Sequence, residues 1–357
     1  MIRLAEIVDQ FGQELRDIGG LLPSQLAALR AFQQCRTESA PKMQVACDEC
    51  TFEQWLPHSC GNRHCPHCQA FESQRWIDNQ LQKRVPGNYF MITFTLPAEF
   101  RDLAWQHQRV VYDLMINSAW MTVNTFAQND KALRGKTGAV TVLHTHNRRL
   151  NFHPHVHLVM PAAAFDEKQR LWRQKDANYL FSHKALAKVF RARMLEGIRL
   201  AGLTVPRCYP TEWVVDCKAV GVGDKALVYL GRYLYRGVLP EKNILSNENG
   251  QVTFQYQNSE TKQMETRTLS GVAFLKLILL HILPKGFRRA RNHGFLHPNS
   301  KLVKLIQLLK RVFIPPPKVR PAVSCPCCKK PMRVIRTRVK AVFANPLRPF
   351  RKPGAAM

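Results

Sequence analysis

Alternating histidines in one strand-like segment constrain the fold of this chain more than any other feature. The segment reads His153-Pro-His155-Val-His157 and continues into Leu158. Successive side chains of a strand point to opposite faces of the sheet. His155 and His157 therefore share one face, while Val156 and Leu158 occupy the other. The pattern predicts a strand with one apolar face in the core and one face lined by imidazoles.

A second pair of histidines, His144-Thr-His146, precedes this strand on a neighbouring predicted strand, 139–146. The loop 147–152 joins the two strands. If the loop closes symmetrically, His146 opposes His153 and His144 opposes His155, so that all five imidazoles lie on one face. Imidazoles that converge in this way predict a metal site.

His155 and His157 are the strongest candidate ligands of that metal, because the apolar face opposite them fixes their direction. We take His144 as the third ligand, with His153 and Asp216 as competitors. Imidazoles with open positions suit Mg²⁺ or Mn²⁺ presented together with phosphate oxygens, and they would also take zinc.

Two tyrosines at helical spacing follow in the segment 227–236, Leu-Val-Tyr-Leu-Gly-Arg-Tyr-Leu-Tyr-Arg. Tyr229 and Tyr233 are four residues apart and share one helix face, whereas Tyr235 is expected to serve packing. Such a pair is by default core packing, but the histidine strands favour a catalytic role. A cation and Arg232 or Arg236 would favour the attacking phenolate.

The charge of the chain predicts a polyanionic partner. Lys and Arg number 53 against 25 Asp and Glu, a formal net charge of +28 in 357 residues. Nucleic acid is the polyanion that such an excess favours. The arginines that we expect to contact it are Arg232, Arg236, Arg288, Arg289 and Arg291. The first twenty residues read as an amphipathic helix rather than a signal peptide, and the stretch 271–283 is too short to span a bilayer. We expect a cytoplasmic protein.

Paired cysteines predict a structural zinc module. Cys47 and Cys50 form one Cys-x-x-Cys turn, and Cys65 and Cys68 form another, with 14 residues between the turns. Each turn places two sulfurs on one metal, so the four thiolates predict one tetrahedral zinc site. Cys60 is an alternative ligand, and the same holds for three nearby histidines, His58, His64 and His67.

A further cysteine cluster, Cys325-Pro-Cys327-Cys328, is half of another such turn. It could bind a metal with Cys208 or Cys217 or across a dimer, or it could remain reduced and pack against the tail.

The order of the predicted elements favours an α+β fold. We predict a helical lead-in (1–45), a zinc-binding module (46–85), a nuclease-like core (86–285) and a basic carboxy-terminal region (286–357). A strand at 88–96 opens the core and a long helix at 102–128 follows it. An appended hairpin is expected at about 240–268, and the stretch 333–357 reads as a disordered arm.

These motifs together resemble the HUH two-tyrosine transposases of bacterial insertion sequences that move by a rolling-circle route. The motifs that carry the resemblance run along most of the chain: Ser59-Cys-Gly-Asn-Arg-His-Cys-Pro-His-Cys68, Ile92-Thr-Phe-Thr-Leu-Pro97, Leu143-His-Thr145, Asn151-Phe-His-Pro-His-Val-His157, Tyr229-Leu-Gly-Arg-Tyr233 and the basic segment 283–295. One residue departs from the pattern: His146 stands where a bulky apolar residue is expected, and it either enlarges the metal cluster or faces water.

The resemblance implies an antiparallel sheet flanked by helices, with a metal on the HUH strand. It also implies an enzyme that nicks and rejoins single-stranded DNA at the ends of its element and that acts at the bacterial nucleoid. The tyrosines would form 5′-phosphotyrosine links and release a 3′-hydroxyl, and two tyrosines would allow two successive strand transfers. Target DNA would be the second nucleic-acid partner.

Three alternatives remain open at this point. A plasmid relaxase or replication initiator would use the same chemistry on a different DNA, and the absence of a helicase P-loop disfavours it. The histidine-triad nucleotide hydrolases share the His-x-His-x-His pattern but need neither zinc turns nor a tyrosine helix. A non-catalytic zinc-dependent DNA-binding protein would bind DNA in a salt-sensitive manner without cutting it.

Overall fold

The computed structural model describes residues 2–38, 40–235, 237–258, 261–312, 316 and 323–339. The α-helices in these ranges are α1 (Leu4–Ile18), α2 (Pro23–Gln34), α3 (Ala70–Leu81), α4 (Arg101–Gln106), α5 (Gln108–Asn129), α6 (His183–Leu200), α7 (Asp224–Tyr235), α8 (Gly271–Leu279) and α9 (Leu302–Leu309). Short 3-10 helices lie at Ala98–Phe100 and Glu241–Asn243. None of the helices described here combines the length and the apolar character that a bilayer span requires.

The strands in the same ranges are β1 (Lys42–Ala46), β2 (Glu53–Pro57), β3 (Tyr89–Thr95), β4 (Gly138–His146), β5 (Phe152–Pro161), β6 (Ala163–Asp166), β7 (Leu171–Gln174), β8 (Val215–Ala219), β9 (Ile244–Glu248), β10 (Gln251–Gln257), β11 (Met264–Ser270), β12 (Ala290–Gly294) and β13 (Arg333–Val339). Every pair of neighbouring strands is antiparallel. The predicted α+β class is confirmed.

The central sheet has five strands in the order β12-β4-β5-β3-β8. One face packs against α5 and α6 through a core that includes Phe94, Val156, Leu158, Met115 and Phe190. The opposite face packs against α7, whose Leu230 and Leu234 join Val142 and Val159. Because side chains alternate along a strand, the histidines of β4 and β5 lie on the face that α7 covers. This layering brings the tyrosine helix over the histidines.

The register of the β4–β5 hairpin corrects one prediction. His144 opposes His155 as expected, but His146 opposes Phe152 and not His153. An irregularity lies between the two pairs, where β5 carries one residue more than β4. Pro154 occupies this part of β5, and a proline lacks the N–H that a regular ladder needs. The symmetric closure is therefore wrong beyond His144.

Two further elements differ from the sequence prediction. The helix predicted at 102–128 is divided, because His107 leaves the helical region between α4 and α5. The stretch predicted as a disordered arm begins with an ordered strand, Arg333–Val339, which pairs with β1. The rest of that stretch, 340–357, lies outside the described residues.

The appended hairpin has a third strand, in the order β11-β10-β9. Its Val252 and Phe254 share a core with Phe11 of α1 and Phe274 of α8. The apolar stretch 271–283, which is too short to span a bilayer, begins with the buried helix α8 (Gly271–Leu279). The helical lead-in, the hairpin sheet and α8 thus bury their apolar faces against one another.

Candidate active site

Three imidazoles meet on the α7 side of the central sheet. One ring nitrogen of His144, one of His155 and one of His157 lie within 4.8 Å of one another. The ring centroid of His144 is 5.1 Å from that of His155 and 4.3 Å from that of His157. Cross-strand pairing of His144 with His155 produces this convergence.

Hydrogen bonds orient two of these rings. The Nδ1 of His155 lies 2.7 Å from the carbonyl oxygen of His153, so Nδ1 donates and Nε2 keeps its lone pair. The Nδ1 of His157 lies 2.9 Å from the hydroxyl of Thr93 on β3. Such partners fix the direction and the tautomer of a metal-binding imidazole.

Burial keeps the three imidazoles neutral. Desolvation lowers the pKa of His155 to about 4 and that of His157 to about 3, and it lowers the pKa of His144 well below its usual range. The other histidines add a smaller effect in the same direction for His144 and His157. A neutral imidazole is the form that binds a metal.

A divalent cation fits this donor set. The Nε2 of His144 is buried and has no hydrogen-bond partner within the described structure. An orphaned buried acceptor is costly, and a cation on that lone pair would remove the cost. The three histidines could therefore hold one ion.

His153 and Asp216, the two alternative candidates for the third metal ligand, contact other residues. His153 lies with its Nδ1 3.1 Å from a guanidinium nitrogen of Arg101. Asp216 forms an ion pair of 2.8 Å with Lys218 and is half-exposed. Neither belongs to the cluster of three, which favours His144 as the third ligand.

Tyr229 lies beside the histidine cluster and faces solvent. Its ring centroid is 6.1 Å from those of His144 and His157, and its side chain is 49% exposed. Desolvation raises the pKa of Tyr229, and the nearby Arg148 acts in the opposite direction. A DNA strand could therefore reach this phenol next to the candidate metal position.

Tyr233, one turn further along α7, has different surroundings. Its ring stacks on His144, with the two ring planes 10° apart. The hydroxyl lies 3.0 Å from Nδ1 of His146 and accepts a hydrogen bond from the N–H of Thr145. Burial raises the pKa of Tyr233, against the effect of Arg289. His146, the residue that departs from the family pattern, does not join the metal cluster; it is partly buried and contacts the hydroxyl of Tyr233.

Close packing of α3 against α7 fixes the tyrosine helix. Gly231 lies between the two tyrosines, and a Cβ at this position would come within 2.3 Å of Ile77 and 2.8 Å of Trp76. The hydroxyl of Ser73 donates to the carbonyl oxygen of Gly231 over 3.0 Å. The glycine in Tyr-Leu-Gly-Arg-Tyr thus allows the two helices to touch.

The loop between β4 and β5 is braced by the appended hairpin sheet. Arg148 donates to Gln257, and Arg149 donates to the hydroxyl of Tyr256. Arg267 donates to the carbonyl oxygen of Arg149 and to the side chain of Asn151. The sequence prediction missed Arg148, whose position near Tyr229 only the fold reveals.

The five predicted DNA-contacting arginines have different environments. Arg232 and Arg288 are exposed. Arg289 lies over the ring of Tyr233 and donates to its carbonyl oxygen, and Arg291 pairs with Asp113. Arg236 lies outside the described residues.

The prediction that the Cys47–Cys50 turn and the Cys65–Cys68 turn share one zinc site is wrong. Cys65 and Cys68 lie with Cys35 and Cys60, and the four sulfurs are within 4.8 Å of one another. Cys47 and Cys50 lie instead with Cys325 and Cys328, in a second cluster of the same dimensions. The first cluster adds Cys35, which follows α2 and has no cysteine neighbour in the sequence.

The remaining cysteines and the surplus histidines have other surroundings. The three free cysteines outside the clusters are Cys208, Cys217 and Cys327. His58 contacts the carbonyl oxygen of Ser59, His64 accepts from the N–H of Leu283, and His67 pairs with Glu241. None of these residues belongs to either cysteine cluster.

Comparison with protein families gives two matches. Residues 7–96 match the family described as "Transposase zinc-binding domain", and residues 138–302 match the family described as "Putative transposase". The first range holds all six cysteines of the amino-terminal part, and the second holds the three clustered histidines and both tyrosines.

Two proteins are similar to this chain over most of its length. The "Putative transposase y4qJ" of Sinorhizobium fredii (strain NBRC 101917 / NGR234) is 28% identical over 328 residues, which cover 85% of this chain and 82% of that protein. The "Transposase for insertion sequence element IS801" of Pseudomonas savastanoi pv. phaseolicola is 28% identical over 313 residues, covering 81% and 74%. With its zinc-binding domain, its histidine strands and its tyrosine helix, the chain belongs to the family of insertion-sequence transposases that includes the IS91 and IS801 elements.

Proposed function

We propose that this transposase nicks and rejoins single-stranded DNA at the ends of its element, using a divalent metal and two tyrosine nucleophiles in a rolling-circle route. The observation that carries the proposal is the position of Tyr229, an exposed phenol beside three converging imidazoles. The two groups come from separate elements, β4–β5 and α7, so their proximity is a property of the fold.

Each of the three histidines would hold the metal through one ring nitrogen, and the Nε2 of His144 has no hydrogen-bond partner within the described structure. The bound cation, Mg²⁺ or Mn²⁺, would polarise a phosphoryl oxygen of the scissile phosphate and stabilise the charge that develops there. Thr93 and the carbonyl oxygen of His153 hold the ligand rings in place. Because these rings are buried and neutral, they remain ligands at neutral pH.

The tyrosine oxygen would attack phosphorus as the bond from phosphorus to the 3′ oxygen breaks. The phenol loses its proton and the departing 3′ oxygen gains one, so that the products are a 5′-phosphotyrosine and a free 3′-hydroxyl. Desolvation raises the pKa of Tyr229, and the positive charge of Arg148 opposes this effect, which helps the phenol to lose its proton. Reversal of the step by a second 3′-hydroxyl would rejoin the strands.

Binding and cleavage would rest on different residues. The net charge of +28 supplies an attraction to DNA that does not depend on sequence. Exposed arginines such as Arg232 and Arg288 would contact phosphates and thereby position the strand. As an enzyme of DNA, the protein would act at the nucleoid in the bacterial cytoplasm.

Structural zinc would support this site without taking part in the chemistry. The cluster of Cys35, Cys60, Cys65 and Cys68 directly precedes α3. Four thiolates complete a tetrahedral zinc, leaving no position for an activated water. The zinc-binding module would thus hold α3 against α7.

The test uses purified protein, Mn²⁺ or Mg²⁺, and a single-stranded oligonucleotide that contains the end of the element. We expect a covalent adduct that survives denaturation and carries the DNA through its 5′-phosphate. The double variant Tyr229→Phe/Tyr233→Phe should form no adduct, because it has no candidate nucleophile left.

The variant His155→Ala/His157→Ala separates cleavage from binding. It should lose at least about 100-fold in adduct formation and retain DNA affinity within a few-fold, since affinity comes mainly from Lys and Arg. Adduct formation by the double tyrosine variant at the parent rate would refute the nucleophile assignment. DNA binding without any adduct in the parent would favour the non-catalytic alternative.

A further inference from the structure

A second cluster of four cysteines joins the β1–β2 hairpin to the last described segment of the chain, 323–339. Cys47 and Cys50 lie in the turn between β1 and β2, and Cys325 and Cys328 lie just before β13. The sulfur of Cys47 is 3.4 Å from that of Cys328, and the sulfur of Cys50 is 3.4 Å from that of Cys325. More than 270 residues separate the two pairs in sequence.

We propose that these four cysteines bind a second structural zinc ion that clamps the carboxy-terminal strand β13 onto the amino-terminal β1–β2 hairpin. Zinc–sulfur bonds of about 2.3 Å place the sulfurs of a tetrahedral site about 3.8 Å apart. The four sulfurs here lie within 4.8 Å of one another, and the two short pairs are too far apart for a disulfide of about 2.05 Å.

The two cysteine turns have the same backbone geometry. The N–H of Cys47 donates to the carbonyl oxygen five residues ahead, at Phe52, and the N–H of Cys325 donates to the equivalent carbonyl of Lys330. The residue after the second cysteine is left-handed in both turns, with φ of 59° at Thr51 and 63° at Lys329.

The residues on both sides of the two cysteine turns also have the same geometry. The residues flanking them pair across the strands in the same way, Ala46 with Glu53 and Ser324 with Pro331. In each turn the sulfur of the second cysteine also receives a backbone N–H from two residues ahead. Two turns with equivalent sulfur positions, facing each other, are the halves of a tetrahedral thiolate site.

The apolar core around the cluster is too small to hold β13 against the β1–β2 hairpin by burial alone. The fully buried residues of this core are Val45, Cys47, Cys325 and Met332, and two of the four are ligands. Small domains with so little apolar core usually need a metal or disulfides. An ion that binds only the folded arrangement would supply the missing stability.

Zinc content of the full-length protein provides the test, with Cys327→Ser as the matched control because Cys327 is exposed and lies between the two ligands. We expect Cys325→Ser/Cys328→Ser and Cys47→Ser/Cys50→Ser each to lose about one zinc equivalent relative to that control. The variant with all four substitutions should lose no more than either pair, because both pairs share one ion. A loss of two equivalents in that variant, or of none in either pair, would overturn the proposal.

Cysteine labelling of the unsubstituted protein avoids any folding defect of the variants. With an alkylating reagent and mass spectrometry, Cys327 should react at once, whereas Cys50 and Cys328 should react only after a zinc chelator is added. Both residues are partly exposed, so burial alone would not protect them. Labelling of Cys328 at the rate of Cys327 before chelation, or resistance to alkylation until a reductant is added, would contradict a zinc site. Neither experiment measures DNA cleavage, so its result is independent of the proposed function.

Discussion

The two tyrosines of α7 have the same side chain but different environments. Tyr229 is 49% exposed and close to the candidate metal position. Tyr233 is stacked on His144 and hydrogen-bonded to His146 and Thr145. An exposed phenol can accept a DNA strand directly, whereas a partly buried phenol that is stacked and hydrogen-bonded must first leave its partners. The environments of the two tyrosines therefore favour an order in which Tyr229 attacks first.

We expect Tyr229→Phe to reduce the first cleavage by at least about 100-fold, because it removes the accessible nucleophile. Tyr233→Phe should keep the first cleavage within a few-fold and lose the subsequent strand transfer. The measurement is single-turnover formation of the covalent adduct, followed by joining to a second strand. Tyr179→Phe is the control, since Tyr179 is an exposed tyrosine outside the site. Equal loss of first cleavage in both active-site variants would contradict this order.

At the scale of the elements, the site depends on how closely two helices approach. The zinc-binding domain contributes α3, and Gly231 allows α3 to contact α7. In an exposed helix, alanine would be more stable than glycine by about 1 kcal/mol. Here the contact with Ile77 and Trp76 reverses that preference, because a side chain at Gly231 has no room.

Gly231→Val is expected to push α7 away from α3 and to destabilise the protein by about 1–3 kcal/mol. Adduct formation should fall by at least about 10-fold, because a shift of Tyr229 relative to the histidines removes the attacking geometry. Thermal unfolding and adduct formation would be measured together. Lys225→Ala, an exposed position on the same helix, is the control. Unchanged stability and activity in the glycine variant would show that the helix contact is unimportant.

At the scale of the whole molecule, the described structure places its candidate metal ligands in three clusters with different chemistry. Two clusters consist of four cysteines each and one consists of three histidines. Thiolates favour zinc, whereas imidazoles with open positions also accept Mg²⁺ or Mn²⁺. The cysteine clusters connect separate parts of the chain, and the histidine cluster lies beside a nucleophile.

Metal removal should therefore have two separable effects. After mild chelation that strips only the weakly held ion, Mn²⁺ alone should restore adduct formation. After complete chelation under reducing conditions, Mn²⁺ alone should fail and zinc followed by Mn²⁺ should succeed, because zinc rebuilds the support of α3 and α7. Zinc content, circular dichroism and adduct formation would be followed in parallel. Full recovery with Mn²⁺ after zinc is completely removed would argue against a structural role for zinc.

The local pattern of the sequence determined the strands, the helices and most of the candidate site. Period-two alternation placed His155 and His157 on one face, and the four-residue spacing placed Tyr229 and Tyr233 on one side of α7. Both predictions depend only on the side-chain periodicity within one strand or one helix, and a few neighbouring residues determine that periodicity. The choice of His144 needed only the pairing of two adjacent strands.

The tertiary structure decided which cysteines share a cluster and how each active-site side chain is surrounded. Spacing suggested that Cys47 and Cys50 join Cys65 and Cys68, but their partners are Cys325 and Cys328. The strand register shifted beyond His144, at the part of β5 that holds Pro154, and stacking and hydrogen bonds distinguished Tyr233 from the exposed Tyr229. These outcomes depend on contacts between residues far apart in the chain, and local periodicity contains no information about such contacts. The sequence by itself therefore identified the Cys-x-x-Cys turns as candidate zinc ligands. Which cysteines share one cluster was decided by the packing of the whole molecule.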